Sequence, residues 1–380
     1  MTQAPRPLHV ALDGRELLGQ PTGVGRYVFE VVREWLTKAG WPHRLTIIVP
    51  QAPPADLVAA LPGATWYLVR ADAWGTWWEQ THLAAALRRI TPDVFLAAAY
   101  TAPIFVPCPF VVAIYDVSFF AEPSGFRWRE RWRRQYLTKR AAQRAGRILT
   151  ISEFSATEIV KWLRVPGDAI RIAPPGAPER RPDDARAASG RSRTVLFVGS
   201  MFTRRHIPQL IEGFALARRV VPDAELVLVG DNRTTPRIEP RELADTFGVA
   251  GAVHWHQYVS QAELDALYGQ ARVFAFLSDY EGFGMTPMEA IAQGVPAVLL
   301  NTAISREVYG SGAALVTTEP RQIADALAAL LTDDSAHAAL LDRGRERLPL
   351  FSWAAAATVV RSALEESVIP VGTAGPVARP

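Results

Sequence analysis

Cysteine is almost absent. Cys108 stands alone in 380 residues, so no intrachain disulfide can form and a four-thiolate metal site is excluded. Lysine is nearly as scarce: Lys38, Lys139 and Lys161 are the only three, and arginine supplies the rest of the 41 basic residues. Beside so much alanine, that bias reads as base composition, and an arginine is not by itself a sign of function. Long apolar runs are missing too. The start, MTQAPRPLHVALD, holds no stretch that would serve as a signal peptide. The longest uncharged stretch, Phe95–Tyr115, contains Pro103, Pro107 and Pro109, which would break a spanning helix, and its ends read as two short buried strands. These absences predict a cytoplasmic protein.

What is present is a core. Apolar residues make up 49% and charged residues 21%, a globular balance, and the length suits two domains of roughly 100–200 residues each. The net charge of +3 is unevenly placed. Residues 127–147 hold nine Lys/Arg against one acid, Glu130, so the remainder of the chain is acidic. Within that segment Trp128, Trp132 and Tyr136 recur at i, i+4 and i+8, one stripe of a helix flanked by arginines. Two readings stand. The stripe packs into the core while the arginines stay solvated, or it lies on an anionic membrane surface. No recognised nucleic-acid module accompanies the charge.

Short apolar runs alternate with longer helical segments. LHVALD, LTIIV, DVFLA, FVVAIY and RILTIS read as strands, separated by helices at 24–39, 77–90, 127–144 and 153–163. A Pro/Arg/Ala/Gly-rich stretch without periodicity, 176–193, reads as a linker. A second series follows: TVLFVG, ELVLVG, AVHWH, VFAFLS, PAVLL and AALV, with helices at 207–220, 239–247, 261–270 and 286–293. Strands alternating with helices of this length predict an α/β protein with two parallel sheets and a ligand cleft at the strand C-termini. Residues 369–380 have no pattern and read as a loose tail.

Ser278-Asp279-Tyr280-Glu281-Gly282-Phe283-Gly284-Met285-Thr286-Pro287-Met288-Glu289 carries the most chemistry. A buried strand enters a glycine-flanked loop and then a helix, whose first amides form a ready anion site. Glu281 on the loop and Glu289 two turns on could meet separate parts of one ligand; alone, they could equally be a loop charge and a solvated helix residue. Thr22-Gly23-Val24-Gly25-Arg26 opens another long helix and is neither a dinucleotide fingerprint nor a P-loop. His254 and His256 share a strand face, with no visible partners to complete a metal site.

EGFGMTPMEA, followed by AQGVPAV and SREVYGSGAALV, resembles the retaining GT-B glycosyltransferases of family four. FVGSMFTRRHIPQLIEGFA, ELVLVGD and HWHQYVSQAELDALYGQARVFAFLSDYEGFG extend the likeness, as do LDGRELLGQPTGVGRY, ISEFS and LFSW. The resemblance implies a GT-B fold: two Rossmann-like domains whose parallel sheets face a central cleft. Residues 1–175 would be the acceptor-side domain and 194–350 the nucleotide-sugar domain, with a helix at about 353–368 packing back on the first.

By the same resemblance Glu281 meets the donor sugar, Glu289 the ribose, and Phe283, Gly284, Met285 and Thr286 face sugar and diphosphate. Gly199, Ser200, Tyr258, Val259, Gly23 and Gly25 complete the donor contacts. An Arg-Lys pair is common after the first strand of the second domain. Here it reads Arg204-Arg205, followed by His206 where asparagine is usual, and two guanidiniums suit a diphosphate. Where many relatives have His-Asp-Leu-Ser, this chain has Tyr115-Asp116-Val117-Ser118. Asp116 is then a catalytic position, and Tyr115 and Ser152 are sugar or acceptor contacts. No Asp-x-Asp occurs, so the resemblance implies a metal-independent hexosyltransferase without a cofactor, acting on a glycan or lipid-linked acceptor in polysaccharide assembly. GDP-mannose is the first donor it suggests and a UDP-hexose the alternative. Two further readings are a silent sugar-nucleotide-binding partner of another transferase and a sugar-nucleotide epimerase.

Overall fold

The structure is a computed structural model that describes residues 6–19, 22–38, 40–71, 75–122, 128–178 and 192–368. Most of the stretch read as a linker, 179–191, and the tail at 369–380 lie outside them. The chain divides into two units. One gathers Met1–Ala121, Arg127–Gly176 and Ser352–Pro380, and the body of the other is Ala177–Phe351.

The first unit is a seven-stranded sheet of β1 (His9–Asp13), β2 (Arg44–Val49), β3 (Thr65–Leu68), β4 (Val94–Ala97), β5 (Phe110–Ala113), β6 (Arg147–Thr150) and β7 (Ile170–Ile172). All pairings are parallel, in the order β3-β2-β1-β4-β5-β6-β7. β4 and β5 are buried at every residue, as strands covered on both faces must be. They are the two ends of the uncharged Phe95–Tyr115 stretch. Among the described residues no helix is long and apolar enough to cross a membrane.

The last helix, Trp353–Val368, packs on the helix Gly23–Thr37 and on β4, β5 and β6. Trp35 Nε1 donates to the Ala357 carbonyl at 2.8 Å. Glu366 accepts from Arg147 Nε and Arg171 Nη2 at 2.7 Å each. The chain can pass Trp353 only as glycine, because a Cβ on Gly176 would lie 2.4 Å from the Trp353 nitrogen.

The second unit is a six-stranded sheet of β8 (Thr194–Val198), β9 (Glu225–Val229), β10 (Val253–His256), β11 (Ala271–Phe276), β12 (Ala297–Leu300) and β13 (Ala314–Val316). It is again wholly parallel, ordered β10-β9-β8-β11-β12-β13. The expectation of two parallel-sheet, Rossmann-like units holds. The sequence reading missed β3 and β7, two short edge strands: TWYL is at best half-buried, and IRI is three residues long.

Strand order reverses between β1 and β4, and again between β8 and β11. At such a point the two loops leaving the strand C-termini diverge to opposite sides and open a crevice. In the second unit those are the loops after Val198 and after Phe276.

Candidate active site

These two loops carry the arginine pair and the first motif glutamate, which is why residues 76 positions apart meet. Glu281 Oε1 accepts from Arg205 Nε at 3.0 Å, from Arg205 Nη2 at 2.8 Å and from Ser278 Oγ at 2.8 Å. Oε2 has no protein partner among the described residues. The remaining arm of Arg205, Nη1, donates to the Ser200 carbonyl at 2.7 Å. Its guanidinium carbon lies 4.6 Å from the centre of the Phe276 ring. A Cβ on Gly199, whose φ is +143°, would come within 2.7 Å of Nη1, so the backbone there must be glycine for the guanidinium to fit.

Arg204 behaves differently. Its Nε donates to the Tyr280 carbonyl at 3.1 Å and its guanidinium lies over Phe202, while its terminal nitrogens have no partner among the described residues. The Arg204 carbonyl in turn accepts from the Asp279 N–H at 3.0 Å. Both arginines were expected to face a diphosphate. Arg205 instead spends its fork on Glu281 and the Ser200 backbone. His206, in the left-handed region at φ +47°, pairs with Asp279 at 2.6 Å.

Gly284, at φ +91°, turns the loop into the helix Met285–Ala292. Its first two amides are those of Met285 and Thr286, and Pro287 has none to offer. Glu289 lies on this helix, half-buried. The Phe283 side chain is core, set edge-on to Phe351. Tyr258, just past β10, is 77% exposed and Val259 half-buried.

In the first unit, Thr22 caps the helix Gly23–Thr37 by accepting from the Gly25 N–H at 2.9 Å. Gly23 is exposed, and Gly25 packs so tightly that a Cβ would lie 2.2 Å from the Glu16 carbonyl. Asp116 follows β5, its Oδ2 accepting from Tyr100 OH at 2.9 Å and its Oδ1 from the Ser118 N–H at 2.8 Å.

Two expected contacts are turned inward. Tyr115 is 6% exposed, its phenol donates to the Ala98 carbonyl at 2.9 Å, and its ring sits edge-on to Tyr27 and Tyr100. Burial among these rings also holds its phenol well above the usual tyrosine range. Ser152 is buried and caps the helix Glu153–Leu163, accepting from the Ser155 N–H at 3.0 Å. His254 and His256 are exposed on β10, and no group of three potential ligands occurs among the described residues.

Comparison with known proteins places this geometry. Residues 180–347 match the family model "Glycosyl transferases group 1", and residues 21–181 match "Glycosyltransferase Family 4". HepE of Anabaena, solved with UDP and glucose, superposes over 94% of this chain and 99% of its own, with a TM-score of 0.71 at 15% identity. The chain is a GT-B glycosyltransferase. Sucrose-phosphate synthase from Thermosynechococcus elongatus superposes with a TM-score of 0.74 over 95% of this chain and 99% of that one, at 19% identity. At these identities the superpositions speak for the fold.

By sequence this glycosyltransferase is 28% identical to the O-antigen chain mannosyltransferase B of Escherichia coli, over 64% of its own length and 66% of that protein. It is 32% identical to a GDP-mannose-dependent phosphatidylinositol monomannoside mannosyltransferase of Mycobacterium tuberculosis, over 48% and 51%. The matched stretches thus span about two thirds or less of these relatives.

The sequence reading missed two parts of the candidate site. Ser278 shares Oε1 of Glu281 with Arg205, and its place three residues before that glutamate was a usable signal. Tyr309, on the segment after Ala303–Val308, reaches Gly284 from 25 residues away, and nothing local announces it.

Proposed function

We propose that the protein transfers a hexose from a nucleotide-diphosphate donor to a hydroxyl of a glycan or lipid-linked acceptor, with retention at the anomeric carbon. The observation that carries this is the asymmetric glutamate: Oε1 of Glu281 is saturated by Arg205 and Ser278, and Oε2 is left for a ligand. A carboxylate locked in this way orients sugar hydroxyls without reorganising, and its charge favours the positive character that develops at the sugar ring. Glu289 accepts from the ribose. The amides of Met285 and Thr286 and the unpaired nitrogens of Arg204 take up the charge that grows on the departing diphosphate. The reaction then runs as same-face displacement, in which the departing phosphate accepts the acceptor's proton. Asp116, fixed by Tyr100 and the Ser118 amide, is the carboxylate of the first unit in this scheme.

GDP-mannose does not stand as the single donor. Sequence relatives are named for mannose transfer and GDP-mannose, while HepE was solved with UDP-glucose as well as with UDP and glucose. UDP-hexoses therefore enter the test first, with GDP-mannose beside them. Purified protein is expected to hydrolyse its donor slowly without acceptor, equally well in EDTA. A protein that binds the donor and never cleaves it would instead be a silent partner of another transferase. Loss of cleavage in EDTA, restored by magnesium, would refute the proposal that arginine and helix amides suffice.

The acceptor reading draws on the helix Trp128–Ala142. Its inner face is Leu137, Thr138, Ala141 and Ala142, while Trp128 (70% exposed), Trp132 (66%) and Tyr136 (50%) face outward, so the aromatic stripe is not core. Exposed Arg129 and Arg133 accompany it, whereas Arg134 lies over the rings of Tyr100 and Phe119 and Arg147 pairs with Glu366. We propose that this face docks on an anionic membrane where a lipid-linked acceptor resides. Each basic residue near such a surface contributes about 1 kcal/mol. Arg129→Gln with Arg133→Gln is expected to lower binding to phosphatidylglycerol-containing liposomes about tenfold or more at low salt. Undiminished binding by the folded double variant would overturn the docking proposal.

A further inference from the structure

Tyr309 is 2% exposed, yet it ends in the candidate site. Its hydroxyl donates to the carbonyl of Gly284. Gly284 is the N-cap of the helix Met285–Ala292, so the phenol holds the carbonyl that heads the helix's first turn. Burial, and next the nearby carboxylate of Glu289, hold the phenol well above the usual tyrosine range, so it remains a donor at any physiological pH. Glu281 lies near enough to act in the same direction.

The base of this tyrosine is fixed as well. Arg347 donates to the carbonyls of Val308 and Glu307 at 3.0 and 2.9 Å, and the Tyr309 carbonyl accepts from the Gly312 N–H at 2.8 Å.

We propose that Tyr309 is a positioning residue for the donor loop: its hydroxyl holds the Gly284 carbonyl so that the Met285 and Thr286 amides stay aimed at the terminal phosphate of a nucleoside diphosphate. This rests on the nucleotide-sugar reading of the site. Gly284 at φ +91° joins a loop to a helix whose third residue, Pro287, has no amide, so Met285 and Thr286 supply the leading amides of that helix. A hydroxyl anchored on a separate segment fixes the turn without using either amide.

Tyr309→Phe keeps the ring and removes the hydroxyl. Calorimetric titration with UDP, UMP, GDP and GMP reads the effect. The preferred diphosphate is expected to bind about tenfold more weakly, while the matching monophosphate changes less than about twofold. Amide exchange at Met285 and Thr286 in the free protein is expected to quicken about tenfold or more, with the sheet unchanged. Should the phenylalanine variant misfold, Tyr309→Met fills the same apolar space and gives the same two readings. An unchanged diphosphate-over-monophosphate preference, or equal weakening of both ligands, overturns the role of Tyr309 alone. A wild-type protein that binds neither diphosphate overturns the nucleotide-sugar reading, and this proposal with it.

Discussion

Glu281→Gln is expected to lower turnover about a hundredfold while leaving affinity for the free nucleoside diphosphate within about twofold. The amide can still accept from Arg205 and Ser278 through its oxygen, so the loop keeps its shape. What is lost is the charge on the outer atom, which under the proposed scheme touches only the sugar. Glu289→Gln is the counterpart. It is expected to weaken free nucleotide binding by about 1–3 kcal/mol, the cost of a charged hydrogen bond to ribose. Steady-state kinetics and calorimetry on the two variants separate the roles. Equal loss of nucleotide affinity in both would mean that the two glutamates do not divide the donor between them.

Arg205→Met is expected to destabilise the second unit by about 3 kcal/mol and to reduce turnover at least as far as Glu281→Gln does. The side chains of Arg205 and Glu281 are 12% and 19% exposed, so removing the guanidinium leaves a mostly buried carboxylate with Ser278 as its one remaining donor. The Ser200 carbonyl loses its partner in the same step. Arg205→Lys is the more telling variant, since the family resemblance leads one to expect lysine at this place. An ammonium carries its three donors on one nitrogen, whereas the guanidinium reaches Glu281 from Nε and Nη2 and Ser200 from Nη1, so the lysine variant is expected to fall between wild type and Arg205→Met. Urea unfolding followed by tryptophan fluorescence, with donor turnover alongside, reads both effects. A lysine variant equal to wild type in stability and rate would make Arg205 a product of arginine-rich composition.

The legible parts of this chain are those that depend on local pattern. Buried parallel strands are continuous apolar runs, so VFLA, FVVA, TVLFV and ARVFAF announce themselves; TWYL and IRI do not, because edge position relaxes the demand for apolar residues. The Glu281–Glu289 segment was legible because glycines, a helix start and two carboxylates lie within twelve residues. Direction was not. Sequence places Arg204 and Arg205 side by side, but only the crevice between β8 and β11 decides that one guanidinium turns onto Glu281 while its neighbour keeps its terminal nitrogens open. The same holds for Tyr115, whose position after a buried strand allows either a ligand contact or the inward hydrogen bond to Ala98 that it makes. The outward stripe of Trp128, Trp132 and Tyr136 reverses the usual rule for aromatic residues, and periodicity alone could not have chosen its side.

Proton NMR of the anomeric region during donor hydrolysis reads both cleavage and its stereochemistry. UDP-glucose and GDP-mannose, both α-linked, would each be incubated with wild-type protein and with Glu281→Gln, in EDTA. At least one donor is expected to release its nucleoside diphosphate, with the free sugar appearing first as the α anomer, and the glutamine variant is expected to be silent on this timescale. Release of the β anomer first, or an undiminished rate in Glu281→Gln, would contradict the proposed mechanism.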